Sequence, residues 1–172
     1  RPVSSAASDV YKRQVFEEAF IFATNGTELS TEWSKSIINE CNKIKRDISA
    51  QDIDSRKDLR SLNFVTIDGS NAKDFDDAVY AEENSDGYLL YVAIADVSEY
   101  VLQESSLDKE ALSRATSVYF EKKVIPMLPE LISNKLCSLR PNEDKLVLTC
   151  EIYLDGELSL IHISEPTRLV SI

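Results

Sequence analysis

The chain has 172 residues, 43% hydrophobic and 28% charged, with a formal net charge of −11. That suits one domain with a real core, or a piece of a larger one, and argues against disorder. The acidic balance argues against a non-specific nucleic-acid binder, which normally presents a basic face. No apolar run approaches the roughly 18–20 residues that span a bilayer, and no secretory signal opens the chain. Three widely spaced cysteines (Cys41, Cys137 and Cys150) without a CxxC predict reduced core thiols in a cytoplasmic protein. A lone histidine, His162, speaks against a zinc site. The charge is uneven: residues 15–60 hold nine acids and seven bases, residues 61–162 nineteen acids and eight bases.

The ends, 1–14 and 160–172, read as foreign tails resembling translated sequencing adapters, and they are set aside from the fold; His162 then lies outside the native residues. Residues 15–26 read as a strand or a short helix ended by Asn25-Gly26. From about Thr31 the spacing of Trp33, Ile37, Cys41, Ile44 and Ile48 predicts a helix with one apolar face, capped by Ser30 or Thr31. Residues 49–61 are polar and read as a linker. After residue 61 the pattern becomes β-rich: short strands at 63–67 and 78–82, and a buried strand at 87–97 that pairs across a turn at 84–87. Residues 106–115 predict a helix capped by Ser105 or Ser106, and 116–120 are again β-rich. Pro126 and Pro129 force an irregular entry to a short helix before 139, and 145–154 is a strand ending at the Asp155-Gly156 turn. The predicted class is α+β, a largely antiparallel sheet with flanking helices.

Asp68, Asp74, Asp76 and Asp77 fall within ten positions between the strands predicted at 63–67 and 78–82. Like charges this close either stay apart in a solvated acidic turn or share a cation. A hard, oxygen-ligated ion such as Mg²⁺ relieves their repulsion. Four such carboxylates suit two Mg²⁺ ions roughly 4 Å apart, which activate water and stabilise a phosphoryl leaving group. A calcium loop is excluded, because its sixth and twelfth positions counted from Asp68 hold Lys73 and Val79. A phosphatase-type DxD should directly follow a hydrophobic strand, yet Asn71, Ala72 and Lys73 precede Asp74. No nucleotide-cradling glycine motif occurs. Asp96 offers a fifth carboxylate, read as a structural group at a turn. Tyr119, taken alone, reads as a half-buried strand tyrosine.

Four stretches in order, VTIDGSNAKDFDDAVYAE, LYVAIADVSEYV, SSLDKEALSRATSVYF and VIPMLPELISNKLCSLRPNEDKLVLTCEI, resemble the start of the RNB catalytic domain of the RNase II/RNase R exoribonucleases. The bacterial RNase R branch is the nearer, and the resemblance covers about residues 58–158. It implies a truncated RNB-type catalytic domain over 58–159, with 15–57 joining upstream cold-shock domains to it. It also implies that Asp68, Asp74, Asp76 and Asp77 are the catalytic and metal-holding aspartates, with Mg²⁺ as cofactor and Mn²⁺ as a substitute. Tyr119 matches the tyrosine that stacks on the nucleotide at the RNA 3′ end. The implied activity is 3′→5′ hydrolysis of single-stranded RNA to 5′-nucleoside monophosphates by a monomeric parent, with no DNA or membrane partner. The family's later arginine and glutamate and its S1 and cold-shock domains are missing, so this piece alone is expected to be inactive. Glu99, Lys135 and Glu121 stand where the family has histidine, glycine and proline. The competing reading is a non-catalytic RNA-binding or interaction module with a structural acidic loop.

Overall fold

The computed structural model describes residues 5–27, 30–70, 72–120, 123–164 and 166–171. Three helices come first: α1 (Ser5–Thr24), α2 (Lys35–Lys43) and the short α3 (Ala50–Asp54). Strand β1 (Lys57–Asp58), the hairpin β2 (Asp77–Asn84) and β3 (Gly87–Ala95), and helix α4 (Ser106–Arg114) follow. A small ribbon, β4 (Val118–Tyr119) with β5 (Val124–Ile125), precedes β6 (Lys145–Leu154), β7 (Leu160–Ile163) and β8 (Thr167–Ser171). The main sheet runs β1-β8-β6-β3-β2, with β7 also on β6. Every pairing in it is antiparallel except β1 with β8. The α+β, largely antiparallel architecture expected from the sequence is the one formed.

The β2–β3 hairpin is set by its turn. The Asn84 side chain accepts the Asp86 N–H at 2.9 Å, an Asx turn that competes well with extended chain. Gly87 has φ +144°, and a Cβ there would lie 2.2 Å from the Leu154 carbonyl oxygen on β6. Only glycine fits so close an approach. Along β3, Tyr91, Ala93 and Ala95 are buried while Ile94 is 45% exposed. The strand therefore alternates, burying one face, where the uninterrupted apolar run predicted burial on both.

The buried face of the sheet meets α2, α4 and the 127–139 segment in one core that includes Ile37, Cys41, Leu107, Ile132 and Val147. Helix α2 begins later than expected, because Ser34 takes the N-cap position and accepts from the Ile37 N–H. It ends at Ile44, which is extended, so Ile48 falls outside the helix although its spacing continues the stripe. Ser105 caps α4 as predicted. The Arg114 guanidinium stacks on Trp33 at 3.8 Å and donates to the Glu32 and Pro126 carbonyls, tying the approach to α2 against α4.

Several elements differ from the expectations or settle their alternatives. The 49–61 linker contains α3, started by a capping box in which Ser49 and Asp52 satisfy each other's backbone N–H groups. The 63–67 strand reduces to a single bridge between Val65 and Val79, because Phe64 turns inward onto Tyr80 and Tyr91. Residues 15–24, left open between strand and helix, belong to α1. Residues 160–163 and 167–171, set aside as a tail, form β7 and β8 against β6. Residues 1–4, 165 and 172 of the two set-aside ends lie outside the described residues, as do Asn71 and Glu121. Cys41 and Cys137 are buried, whereas Cys150, also expected in the core, is only part-buried.

A buried ion cluster joins the two halves of the sequence. Arg56, just before β1, donates to Asp96 at 2.9 Å and to Glu99 at 2.8 Å, with the Arg56 and Asp96 side chains only 4% and 0% exposed. Asp96 also accepts from Ser98 at 2.6 Å. Its carboxylate is thus structural, in keeping with the reading of its sequence context. Removing one partner of such a pair strands a buried charge. Arg56→Ala is expected to lower the unfolding free energy by about 3–5 kcal/mol, measured by urea denaturation; an unchanged midpoint would show that the cluster does not hold this corner.

Candidate active site

The aspartate loop is fixed at both ends and in its middle. On the way in, Phe64 packs 5.9 Å from Tyr80 and 6.4 Å from Tyr91, and Val65 exchanges two 2.9 Å backbone hydrogen bonds with Val79. Asp68 follows, and a turn in which the Ala72 N–H donates to the Gly69 carbonyl reverses the chain. On the way out, the Asp76 carbonyl accepts the Ala95 N–H at 2.9 Å, and Asp77 begins β2 opposite Ile94. Between these points, Lys73 and Phe75 are bonded to Ser138 and Leu139.

Asp68, Asp74 and Asp76 face one cleft of about 920 Å³, which Tyr119, Lys73 and Lys123 also line. Asp77, one residue further, is not part of that lining. It is nevertheless close enough to act on its neighbour. Burial by the cleft wall pushes the Asp76 carboxyl above its ordinary value, and Asp74, Asp77 and Asp68 push it further. Asp68, Asp74 and Asp77 are therefore all within electrostatic reach of Asp76. Asp76 as a whole residue remains exposed to solvent. Among the described residues, no three acidic, histidine or cysteine side chains are drawn together as cation ligands.

Tyr119 sits on β4, and its hydroxyl donates to Asp74 Oδ2 at 3.0 Å. Burial of the hydroxyl and the Asp74 carboxylate that accepts from it push the phenol above its usual range. The residue is 65% exposed, so the ring is open to solvent while its tip enters the cleft. The half-buried strand position read from the sequence is thus an exposed one. The sequence reading missed Lys123, Ser133 and Asn134, which share the cleft wall. It also missed Ser138, whose sequence signals are its place between two core residues and inside the quoted stretch 124–152. Of the three departures from the family pattern, Glu99 pairs with Arg56, and the Lys135 carbonyl accepts from Lys145 Nζ at 2.6 Å. Neither lines the cleft. A smaller, mainly apolar cavity of about 330 Å³, between residues 40–52 and Tyr100, holds none of the predicted site residues.

The RNB domain family matches residues 56–167. The chain belongs to that family. Its matched span begins at Arg56 and runs past 158, wider at both ends than the motifs alone indicate. The chain is similar to Ribonuclease R of Acidithiobacillus ferrooxidans, with 50% identity over 128 residues, 74% of this chain and 29% of that protein. Among solved structures, Mycoplasma genitalium RNase R in complex with double-stranded RNA is similar at TM-score 0.81 and 34% identity, over 92% of this chain and 28% of that one. The same enzyme in complex with ribose methylated single-stranded RNA gives TM-score 0.77 and 37% identity, over 84% and 22%. The chain spans less than a third of the length of these relatives. The part it spans is the N-terminal portion of the RNB domain.

The raised Asp76 carboxyl has a consequence for stability. Its neutral form is favoured in the folded chain, so that stabilisation is present at low pH and is lost as pH rises through the raised value. In cation-free buffer at neutral pH, Asp76→Asn should therefore melt at a higher temperature than the wild type. Thermal melts repeated below the ordinary carboxylate pKa of about 4 should show the difference vanish.

Proposed function

We propose that this chain carries the cation-holding half of an exoribonuclease site that hydrolyses single-stranded RNA from its 3′ end to 5′-nucleoside monophosphates. The observation that carries this reading is that Asp68, Asp74 and Asp76 share one cleft, with Asp77 acting on it, inside the span matched by the RNB domain family. Carboxylate oxygens are the donors that Mg²⁺ prefers, with Mn²⁺ as a substitute, and the repulsion registered at Asp76 is what a cation would relieve. Asp68, Asp74, Asp76 and Asp77 would hold the ion, which supplies an activated water and stabilises charge at the scissile phosphate.

The chain's own residues then have separable tasks. Tyr119 orients Asp74 through its hydroxyl and leaves its ring free to stack on a base, a sequence-tolerant contact. The acidic cleft repels a bare phosphodiester, so RNA enters only where its charge is offset. Lys73 on the cleft wall provides part of that offset, whereas Lys123 beside it is already paired with Glu17 of α1. Residues 15–57 lead into the catalytic domain in this reading, and the parent is a cytoplasmic monomer. Among the described residues no helix is long and apolar enough to cross a membrane. The chain covers less than a third of each of these relatives, and we expect little turnover from this chain alone.

A second reading, a non-catalytic RNA-binding module with structural aspartates, is favoured by one observation: the carboxylates are near one another without being closed into ligand geometry. Isothermal titration separates the two. Mg²⁺ should give measurable heat with the wild-type chain and none with an Asp76→Asn, Asp77→Asn variant; equal heats would sink the metal reading. In the full-length parent enzyme, Asp77→Asn should abolish poly(A) degradation while RNA binding persists. Tyr119→Ala should weaken binding of the RNA 3′ end by about 1–3 kcal/mol in a filter-binding assay, the worth of one stacked base.

A further inference from the structure

The aspartate loop is gripped from the side by a residue in the quoted CSL segment to which the resemblance assigns no role. Ser138 is fully buried, between Cys137 and Leu139, just after the wide turn Ile132–Leu136. Its hydroxyl accepts the Phe75 N–H at 3.1 Å and donates to the Lys73 carbonyl at 2.8 Å. The neighbouring Leu139 N–H donates to the Phe75 carbonyl at 2.8 Å. A serine hydroxyl has one proton to give and lone pairs to accept with, and both capacities are in use here. The two peptides it holds flank Asp74. Among the described residues, no other side chain bonds the backbone of 73–75.

We propose that Ser138 is the positioning residue of the aspartate site: its hydroxyl locks the peptides on either side of Asp74 and so sets the directions of the Asp74 and Asp76 carboxylates. The proposal rests on the reading of those aspartates as a cation site. Three anchors then surround Asp74 and Asp76. Ser138 and Leu139 hold the chain before Asp76, the Ala95 N–H holds the Asp76 carbonyl, and the Tyr119 hydroxyl holds Asp74 Oδ2. Without the serine the Phe75 N–H and the Lys73 carbonyl lose their partner, and repulsion among the aspartates is free to splay the loop. Such supporting contacts govern how well first ligands converge on an ion.

The test uses the whole 172-residue chain, wild type, Ser138→Ala, Ser138→Thr, and Ile37→Val as a core control remote in sequence from the loop. Two quantities are measured: Mn²⁺ affinity from the loss of the free-ion electron paramagnetic resonance signal, and metal-free hydrogen exchange at the Phe75 amide. Ser138→Ala should bind Mn²⁺ about tenfold or more weakly and exchange Phe75 faster than the wild type. Ser138→Thr, which keeps the hydroxyl, should recover both, and Ile37→Val should change neither. Unchanged Phe75 exchange in Ser138→Ala would overturn the proposal whatever the cation does. Exchange that quickens equally throughout the chain, or equally in Ile37→Val, would also overturn it by showing a general loss of stability. Wild-type chain that binds no Mn²⁺, with Phe75 exchange quickened only in Ser138→Ala, would strike the metal reading and leave the loop clamp standing.

Discussion

Mutual repulsion among Asp68, Asp74, Asp76 and Asp77 is the constraint that the rest of the structure answers. A ten-residue stretch with four carboxylates would, as a free turn, spread them into water. Here the backbone is denied that freedom. The Val65–Val79 bridge holds the loop at its base, Ala95 on β3 takes the Asp76 carbonyl, and residues 138–139 take the middle. The sheet and the turn before β6 are therefore the frame that keeps negative charge concentrated in one cleft.

Two acidic clusters in the same chain meet opposite fates, and the contrast is instructive. Asp96 is fully buried and is matched by Arg56, whose own side chain is almost wholly buried. Its charge is neutralised inside the protein, and its role ends with the fold. Asp76 and its neighbours lie at a cleft where no described arginine pairs with them. The repulsion falls on Asp76, which it pushes toward its neutral form, and in the proposed reading a cation would relieve it. A structure that stores repulsion in a rigid loop is prepared for a ligand of opposite charge.

The net charge of −11 fits that arrangement. In the proposed reading, an RNA backbone approaching this cleft would meet like charge, so binding would depend on cations and on Lys73 along the wall. In that reading the exposed ring of Tyr119 would add a contact that does not depend on charge. Its hydroxyl couples that platform to Asp74, which links where a base would rest to where the carboxylates point.

Much of this was legible in the residues themselves. The aspartate spacing, the β2–β3 hairpin with its Asn84 turn, the Ser105 cap and strand β6 are local in origin, decided by turn chemistry and by period-two patterning. The order of the motifs carried the family. Other features are not local. Phe64 left an expected strand because two tyrosines on the sheet offered it a better surface, and β3 alternated because only one of its faces found a partner layer. Ser49 and Asp52 built a helix in what composition reads as a linker. The meeting of Arg56 with Asp96, forty residues apart, has no signature along the chain. Neither does the grip of Ser138 on Lys73 and Phe75, more than sixty residues away, since any buried serine looks alike in sequence. The sequence by itself determined which carboxylates would be crowded together; the tertiary structure decided how they are held, because hydrogen bonds between distant segments exist only once the chain has packed.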